Sequence, residues 1–168
     1  IRVKNYNNSA VNNIQVNYRV NAGVIVTENI AVLNANQVLN YTFTVNANLA
    51  AFTDYTFDCW LTAAGDNYQS NDSILNYSLH NSPVISTYPY LEGFESNEGG
   101  WYSKGQNSSW QWGTPANTII NKAANGSKAW VTNLTGKYNN FEHSYLYSPC
   151  FNLSGLTQPV LSFSHIYQ

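Results

Sequence analysis

The stretch Ile14-Gln15-Val16-Asn17-Tyr18-Arg19-Val20 alternates apolar with polar side chains and is the strongest indication of the fold class. Successive side chains of a β-strand point to opposite faces, so a period of two buries one face and exposes the other to water. The same pattern recurs at Ile1 and Val3, at Leu39, Tyr41, Phe43 and Val45, at Tyr55, Phe57, Cys59 and Leu61, and at Leu75, Tyr77 and Leu79. These segments predict strands.

Turn-forming residues separate the predicted strands. Asn, Gly and Asp concentrate at 5–13, 21–23, 34–36 and 65–67, where they favour tight changes of chain direction. Short strands at this spacing indicate an antiparallel β-sandwich over residues 1–82. Since no segment keeps a period of 3.6 residues, we expect almost no helix.

The chain changes character after residue 82. Residues 83–90 contain Pro83 and Pro89 without a sustained alternation, which predicts a linker. Tryptophans and glycines then concentrate in residues 91–168, which we predict to be a second domain. Its strands are expected at 109–113, 128–132, 144–148 and 160–166. The fold class is therefore all-β.

Composition excludes several classes of function. Charged residues make up 10% of the chain, the net charge is -2, and no run of Lys or Arg occurs, so we exclude nucleic-acid binding. Every apolar run is shorter than the roughly 20 residues of a membrane helix, so we expect no membrane insertion. The chain begins at Ile1, contains no Met and shows no signal-peptide pattern, which indicates an excised fragment.

Two cysteines, Cys59 and Cys150, lie far apart and lack the spacing of a zinc or redox site. We expect two buried thiols, because a free cysteine behaves as a small apolar residue. A bridge between them, or a partner for Cys150 beyond residue 168, stays open.

The first 80 residues resemble the bacterial cell-adhesion-related domain called CARDB, an immunoglobulin-like sandwich. The segments that carry the resemblance are Val3-Lys4-Asn5, Val16-Asn17-Tyr18, Asn21-Ala22-Gly23, Tyr41 to Thr44, Ala47 to Leu49, Gly65 to Asn67 and Ser70 to Asp72. The family pattern has one more strand before Ile1. The resemblance therefore implies a sandwich that lacks its first strand here.

Residues 89–168 resemble the first half of a MAM-like jelly roll, of the kind found in secreted proteases and adhesins of Bacteroidetes. The matching segments are Phe94-Glu95, Gly100-Trp101, Trp110 to Pro115, Gly126 to Trp130, Thr132 to Leu134, Tyr145 to Pro149, Leu153 to Gly155 and Leu161 to Phe163. The resemblance implies a domain truncated at its C-terminus. It also implies export, through type IX secretion, to the medium or the cell surface.

We find no catalytic constellation in the sequence. Glu142-His143 lacks the second histidine of an HExxH zinc helix, and Gly99-Gly100 lacks the lysine of a phosphate-binding loop. No GxSxG nucleophile motif occurs. We therefore expect a non-catalytic protein with surface histidines.

The acidic segment 92–98 is the candidate metal site. Glu92, Glu95 and Glu98 lie within seven residues, with Asn97 between them, and Ca²⁺ prefers several such oxygen ligands. MAM-like domains place a metal near their Phe-Glu motif, so the resemblance implies calcium at Glu95. Asn97, in the same loop, is predicted as a second ligand. A solvated turn without a metal is the alternative.

Two further sites are predicted. Trp110 and Trp112 point to the same face of one strand, where they either pack in the core or form a platform for sugar rings. Asp72-Ser73-Ile74 resembles the O-glycosylation signal of exported Bacteroidetes proteins, which implies glycosylation of Ser73.

Together these features predict a non-catalytic adhesion or structural module of a large secreted or cell-surface bacterial protein. Its expected partners are other domains of the same polypeptide, with glycans or surface proteins as further candidates. The alternatives are accessory domains of a secreted peptidase or other hydrolase, and a carbohydrate-binding module.

Overall fold

The protein is all-β. The computed structural model describes residues 1–66 and 68–167, which form two compact units, Ile1–Asn81 and a second that begins at Ser82. Helical structure in these ranges is limited to one 3-10 turn at Gln69–Asn71, so the expected near-absence of helix is confirmed. Asn67, part of the turn predicted at 65–67, lies outside the described residues.

The first unit is built from two antiparallel sheets. In chain order its strands are β1 (Arg2–Lys4), β2 (Val11–Val20), β3 (Val26–Leu33), β4 (Val38–Asn40), β5 (Asp54–Thr62) and β6 (Ser73–His80). One sheet has the order β3-β2-β5-β6, and the other is the pair β1-β4. The core lies between them and consists of Val3, Ile14, Val16, Ile30 and Leu33. Apolar side chains from facing sheets thus exclude water, as the alternation in β2 predicted.

Strand β3 was missed by the sequence pattern. Its buried side chains Ile30 and Leu33 are three residues apart, so the period of two fails there. The cause lies on the neighbouring strand, where Asn13 has a left-handed φ of 53° and changes the phase between Val11 and Ile14. A charged residue, Glu28, lies opposite the buried Val16 and further obscures the pattern.

The strand predicted at 39–45 is wrong beyond residue 40. Strand β4 ends at Asn40, and the next residues form a loop held by the Glu28 carboxylate. That carboxylate accepts hydrogen bonds from the Tyr41 hydroxyl (2.6 Å), from the amide of Thr44 (2.8 Å) and from the amide of Val45 (3.1 Å). The amides of Thr44 and Val45 therefore donate to the Glu28 side chain, whereas in a longer strand β4 they would donate to a neighbouring strand.

Strand β6 forms as predicted but buries little of its apolar face. It lies at the edge of the four-stranded sheet, and Leu75, Tyr77 and Leu79 are 57%, 60% and 37% exposed. Alternation indicated the strand correctly, but it could not indicate whether anything packs on that face.

The second unit consists of short strands paired two by two. They are β7 (Val84–Ile85), β8 (Tyr102–Gln106), β9 (Trp110–Gly113), β10 (Ala129–Thr132), β11 (His143–Tyr147) and β12 (Cys150–Phe151). The pairs β8-β11 and β9-β10 are antiparallel, and β7-β12 is parallel. Three of the four predicted strands are present within one residue at each end.

Three further expectations need correction. Residues 160–166 form no strand, and Val160, Leu161 and Phe163 are 91%, 80% and 73% exposed, because no neighbouring strand bonds to them. The segment 83–90, expected as a linker, contributes β7 to the second unit. Cys59 is half-buried and Cys150 is exposed, and both are free thiols rather than two buried ones.

Among the described residues, no helix has the length and apolar character needed to cross a membrane.

Candidate functional site

The acidic segment 92–98, here called the Glu95 loop, is bound to the start of β10. The Glu95 carboxylate accepts hydrogen bonds from the amides of Ser127 and Lys128, both at 2.9 Å, and from the Ser127 hydroxyl at 2.7 Å. Gly126 lies directly against it, since a Cβ added there would come within 2.5 Å of Glu95 Oε1. A side chain at position 126 would therefore displace the carboxylate from this turn.

Two tryptophans fix the other side of the Glu95 loop. The indole nitrogen of Trp112 on β9 donates to the carbonyl of Phe94 at 2.8 Å, and that of Trp130 on β10 donates to the carbonyl of Glu98 at 3.2 Å. The ring of Phe94 also packs edge-on against Trp101 with centroids 5.6 Å apart. The loop is thus held at both ends by polar contacts to one β-ribbon.

The predicted Trp110–Trp112 pair shares one face of that ribbon. Trp112 lies opposite Trp130 and Trp110 opposite Thr132, so all three indoles project to the same side. They are half-buried rather than fully buried, but the Lys128 ammonium lies 4.4 Å from the Trp112 ring centroid and the Glu95 loop bonds to two of the indole nitrogens. The chain itself therefore occupies much of this face.

The hydrogen bonds to Glu95 also set its charge. The amide of Lys128, followed by the hydroxyl and amide of Ser127, lowers the pKa of the Glu95 carboxyl below its ordinary value. Hydrogen bonds to a carboxylate favour its charged form. Glu95 is therefore an anion whose lone pairs are directed at its own backbone.

The predicted calcium ligands Glu95 and Asn97 both accept hydrogen bonds from the chain itself. Asn97 Oδ1 accepts the amide of Gly99 at 2.8 Å, and Glu92 Oε1 accepts the amide of Phe94 at 2.6 Å. In the described part of the chain, no group of three or more His, Cys, Asp or Glu side chains is arranged to hold a metal ion. Calcium at Glu95 and Asn97 stays a prediction, and it would require these oxygens to exchange backbone donors for the cation.

A second anchored carboxylate, Glu142, was not predicted from the sequence. It accepts hydrogen bonds from the amide and hydroxyl of Ser109, from the Ser144 hydroxyl and from the amide of Asn139. Partial desolvation alone would raise its pKa, but these bonds lower the pKa of Glu142 to about 2. Its partner Ser109 lies 33 residues earlier in the chain, so no local signal could have identified the pair.

An exposed row of aromatic side chains lies on the β8-β11 ribbon. Tyr147 lies opposite Tyr102, Tyr145 opposite Lys104, and His143 begins the same row. The rings of Tyr102 and Tyr147 stack with centroids 5.1 Å apart, and the Tyr145 hydroxyl is 2.6 Å from His143 Nε2. Tyr145 and Tyr147 are 49% and 42% exposed. We call Tyr102, Tyr145 and Tyr147 the tyrosine row.

Ser73, the predicted glycosylation site, is the first residue of β6 and is exposed. It lies opposite Trp60 at the end of the β5-β6 pairing. The preceding Asp72 is partly buried, and this burial, together with the charge of Asp66, raises the pKa of the Asp72 carboxyl. Modification of Ser73 stays a prediction.

The comparisons with known proteins give one partial similarity. No family model matches the chain, and no solved structure shows significant similarity to it. Bacillopeptidase F of Bacillus subtilis (strain 168) is 42% identical to it over 73 residues. The aligned part is 44% of this chain and 5% of that protein, so the chain spans only a small fraction of the relative that it matches.

Proposed function

We propose that this chain is a non-catalytic, extracellular accessory region of a larger polypeptide, of the kind that accompanies a peptidase. The observation that carries the proposal is the 42% identity over 73 residues to a segment amounting to 5% of Bacillopeptidase F. A matching segment that makes up only 5% of a long protein is consistent with a small module appended to a larger chain. The resemblances to CARDB and MAM-like domains agree with the same role.

The state of the anchored carboxylates supports a non-catalytic role. A general acid or base works best when its pKa lies near the operating pH and its proton can reach a substrate. Glu28 and Glu142 have pKa values of about 2, and the pKa of Glu95 is also lowered. Hydrogen bonds from their own chain cause these shifts. These carboxylates thus stabilise loops and are poorly suited to transferring protons.

The edge strand β6 supplies a surface for contact with other domains. Among the residues that the structure describes, no strand pairs with its outer edge, and Ile74, Leu75 and Tyr77 are 58%, 57% and 60% exposed. Such an edge can bind a further strand through main-chain hydrogen bonds. We infer that a neighbouring β-module of the same polypeptide packs here.

Two measurements test this proposal. The chain, produced alone, should not hydrolyse peptide or protein substrates, and turnover that persists after inhibitors of contaminating proteases are added would overturn it. The reading frame that encodes the chain should also contain a catalytic domain outside residues 1–168. A frame made of β repeats alone would favour an adhesin over a peptidase accessory region.

Glycan binding is a second candidate function, and the tyrosine row favours it. Tyr145 and Tyr147 expose apolar ring surface together with hydroxyl groups, which suits the combination of C–H faces and hydroxyls on a sugar. On this face, Tyr147 pairs with Tyr102, Tyr145 with Lys104 and His143 with Gln106 across the two strands. None of these residues is acidic. The row could therefore contact neutral or acidic polysaccharides.

The test for glycan binding is co-sedimentation of the chain with insoluble polysaccharides of stated composition, such as cellulose and chitin. Tyr145→Ala should reduce the bound fraction, because it removes the most exposed ring of the row. Tyr138→Ala is the matched control, since Tyr138 is 64% exposed in the same unit but outside the row. Equal binding by the two variants would exclude the row as the binding surface.

A further inference from the structure

We propose that Asn125 is a site of spontaneous deamidation, and that its conversion to isoaspartate or aspartate releases the Glu95 loop. Asn-Gly occurs once in the sequence, at Asn125-Gly126. Both residues are exposed. The site lies directly before Ser127 and Lys128, which hold Glu95.

The geometry brings the reacting groups together. The amide nitrogen of Gly126 donates to Oδ1 of Asn125 at 3.0 Å, so the side-chain amide is folded back onto the next peptide nitrogen. Its carbon, Cγ, is bonded to that oxygen and therefore lies next to the same nitrogen. Glycine leaves this nitrogen unhindered because it has no Cβ.

The reaction needs only water and hydroxide. Hydroxide removes the proton from the Gly126 nitrogen, which then attacks Cγ of Asn125. The new C–N bond forms while the bond from Cγ to the side-chain nitrogen breaks, and that nitrogen takes up a proton and leaves as ammonia. One water then adds at either carbonyl of the five-membered succinimide. Opening of the ring gives aspartate or isoaspartate, and nothing is oxidised or reduced.

Both products disturb the binding of Glu95. Isoaspartate lengthens the main chain by one carbon just before Ser127, whereas the bonds from Ser127 and Lys128 to the carboxylate are held at 2.7 to 2.9 Å. Aspartate adds a negative charge next to Gly126, which lies against the Glu95 carboxylate. Like charges repel, so each product favours release of the loop.

The first experiment measures deamidation in the whole chain during incubation at mildly alkaline pH. Peptide mass spectrometry follows Asn125 and, as an internal control, Asn107. Asn107 is also exposed, but it precedes Ser108 and its side-chain nitrogen donates to the Asn140 carbonyl at 3.3 Å. Asn125 should convert roughly tenfold faster or more, because glycine leaves the attacking nitrogen open. Equal rates at the two sites would overturn the proposal.

The second experiment tests release of the loop. Glutamine would have to close a six-membered ring, so Asn125→Gln should resist conversion. After incubation, the tryptophan fluorescence of the chain and the melting temperature of the second unit should change in the native protein, since the indoles of Trp112 and Trp130 bond to the loop. They should stay constant in Asn125→Gln. Conversion at Asn125 without any change in fluorescence or melting would refute release.

Discussion

The pairing of β3 in the first unit can be tested with two adjacent apolar residues. Leu33 is 1% exposed and packs in the core, whereas its neighbour Val32 is 48% exposed. Replacing Leu33 by Ala removes buried methyl groups and leaves a cavity, which costs about 2–5 kcal/mol. We expect about 3 kcal/mol, because the half-buried Leu39 and Tyr41 beside the core can partly close the space.

The expected loss is large compared with the total free energy of unfolding of the first unit. At roughly 0.05–0.15 kcal/mol per residue, a unit of this length has a total stability of about 4–12 kcal/mol. A loss near 3 kcal/mol should lower its melting temperature by roughly 12–24 °C. Val32→Ala removes two methyl groups from a surface position and should change the stability by less than about 0.5 kcal/mol.

The assay is urea denaturation followed by hydrogen exchange and mass spectrometry of the β2 and β3 peptides. This readout separates the first unit from the second without assuming that they unfold together. Protection of β2 and β3 should fall at a lower urea concentration in Leu33→Ala than in Val32→Ala. If the two variants lose protection together, or if Val32→Ala is the more damaging, the burial pattern described for β3 is wrong.

Three further predictions concern the anchored side chains. Trp112→Phe should destabilise the second unit by about 1–2 kcal/mol, because the Phe94 carbonyl loses its donor, and an unchanged denaturation midpoint would show that this bond does not matter. The folded pKa of Glu28, about 2, lies below its ordinary 4.5, so its stabilisation is complete above pH 4.5 and is lost as the pH falls toward 2. Glu28→Gln should therefore flatten the acid side of the stability curve of the first unit, and superimposable curves would contradict this. If calcium binds at Glu95, the second unit should be stabilised by about 2.7 kcal/mol at a hundredfold excess over Kd, and Glu95→Ala should abolish the difference. Equal melting in calcium and in chelator would remove the metal site.

Local alternation was enough to predict most strands of the first unit, and three of the six described strands of the second unit were also predicted. Ile14 to Val20 lies in β2, Tyr55 to Leu61 lies in β5, and the tryptophan segment 109–113 contains β9. These predictions succeed because the period of two depends only on neighbouring residues in one strand. The same local signal explains why the scarcity of helix was predicted correctly.

The same signal failed where the outcome depended on a distant partner. Residues 161–164 alternate apolar and polar side chains as β2 does, but the described chain offers them no adjacent strand. Strand β3 was hidden because a left-handed Asn13 on its neighbour changes which side chains face inward. Alternation shows which side chains would share one face of a strand, but the strand forms only where a neighbouring strand pairs with it.

In the candidate site, too, the sequence indicated local features but not the contacts between distant residues. The sequence alone indicated Glu95 as an unusual carboxylate and placed Trp110 and Trp112 on one face of a strand. Only the tertiary structure brought Glu95 to Ser127 and Lys128, which lie 32 and 33 residues later, and Glu142 to Ser109. Hydrogen bonds between residues so far apart in sequence depend on how the ribbons pair. A carboxylate in an acidic segment therefore looks like a metal ligand in the sequence, whereas in the folded chain it is bound by backbone amides.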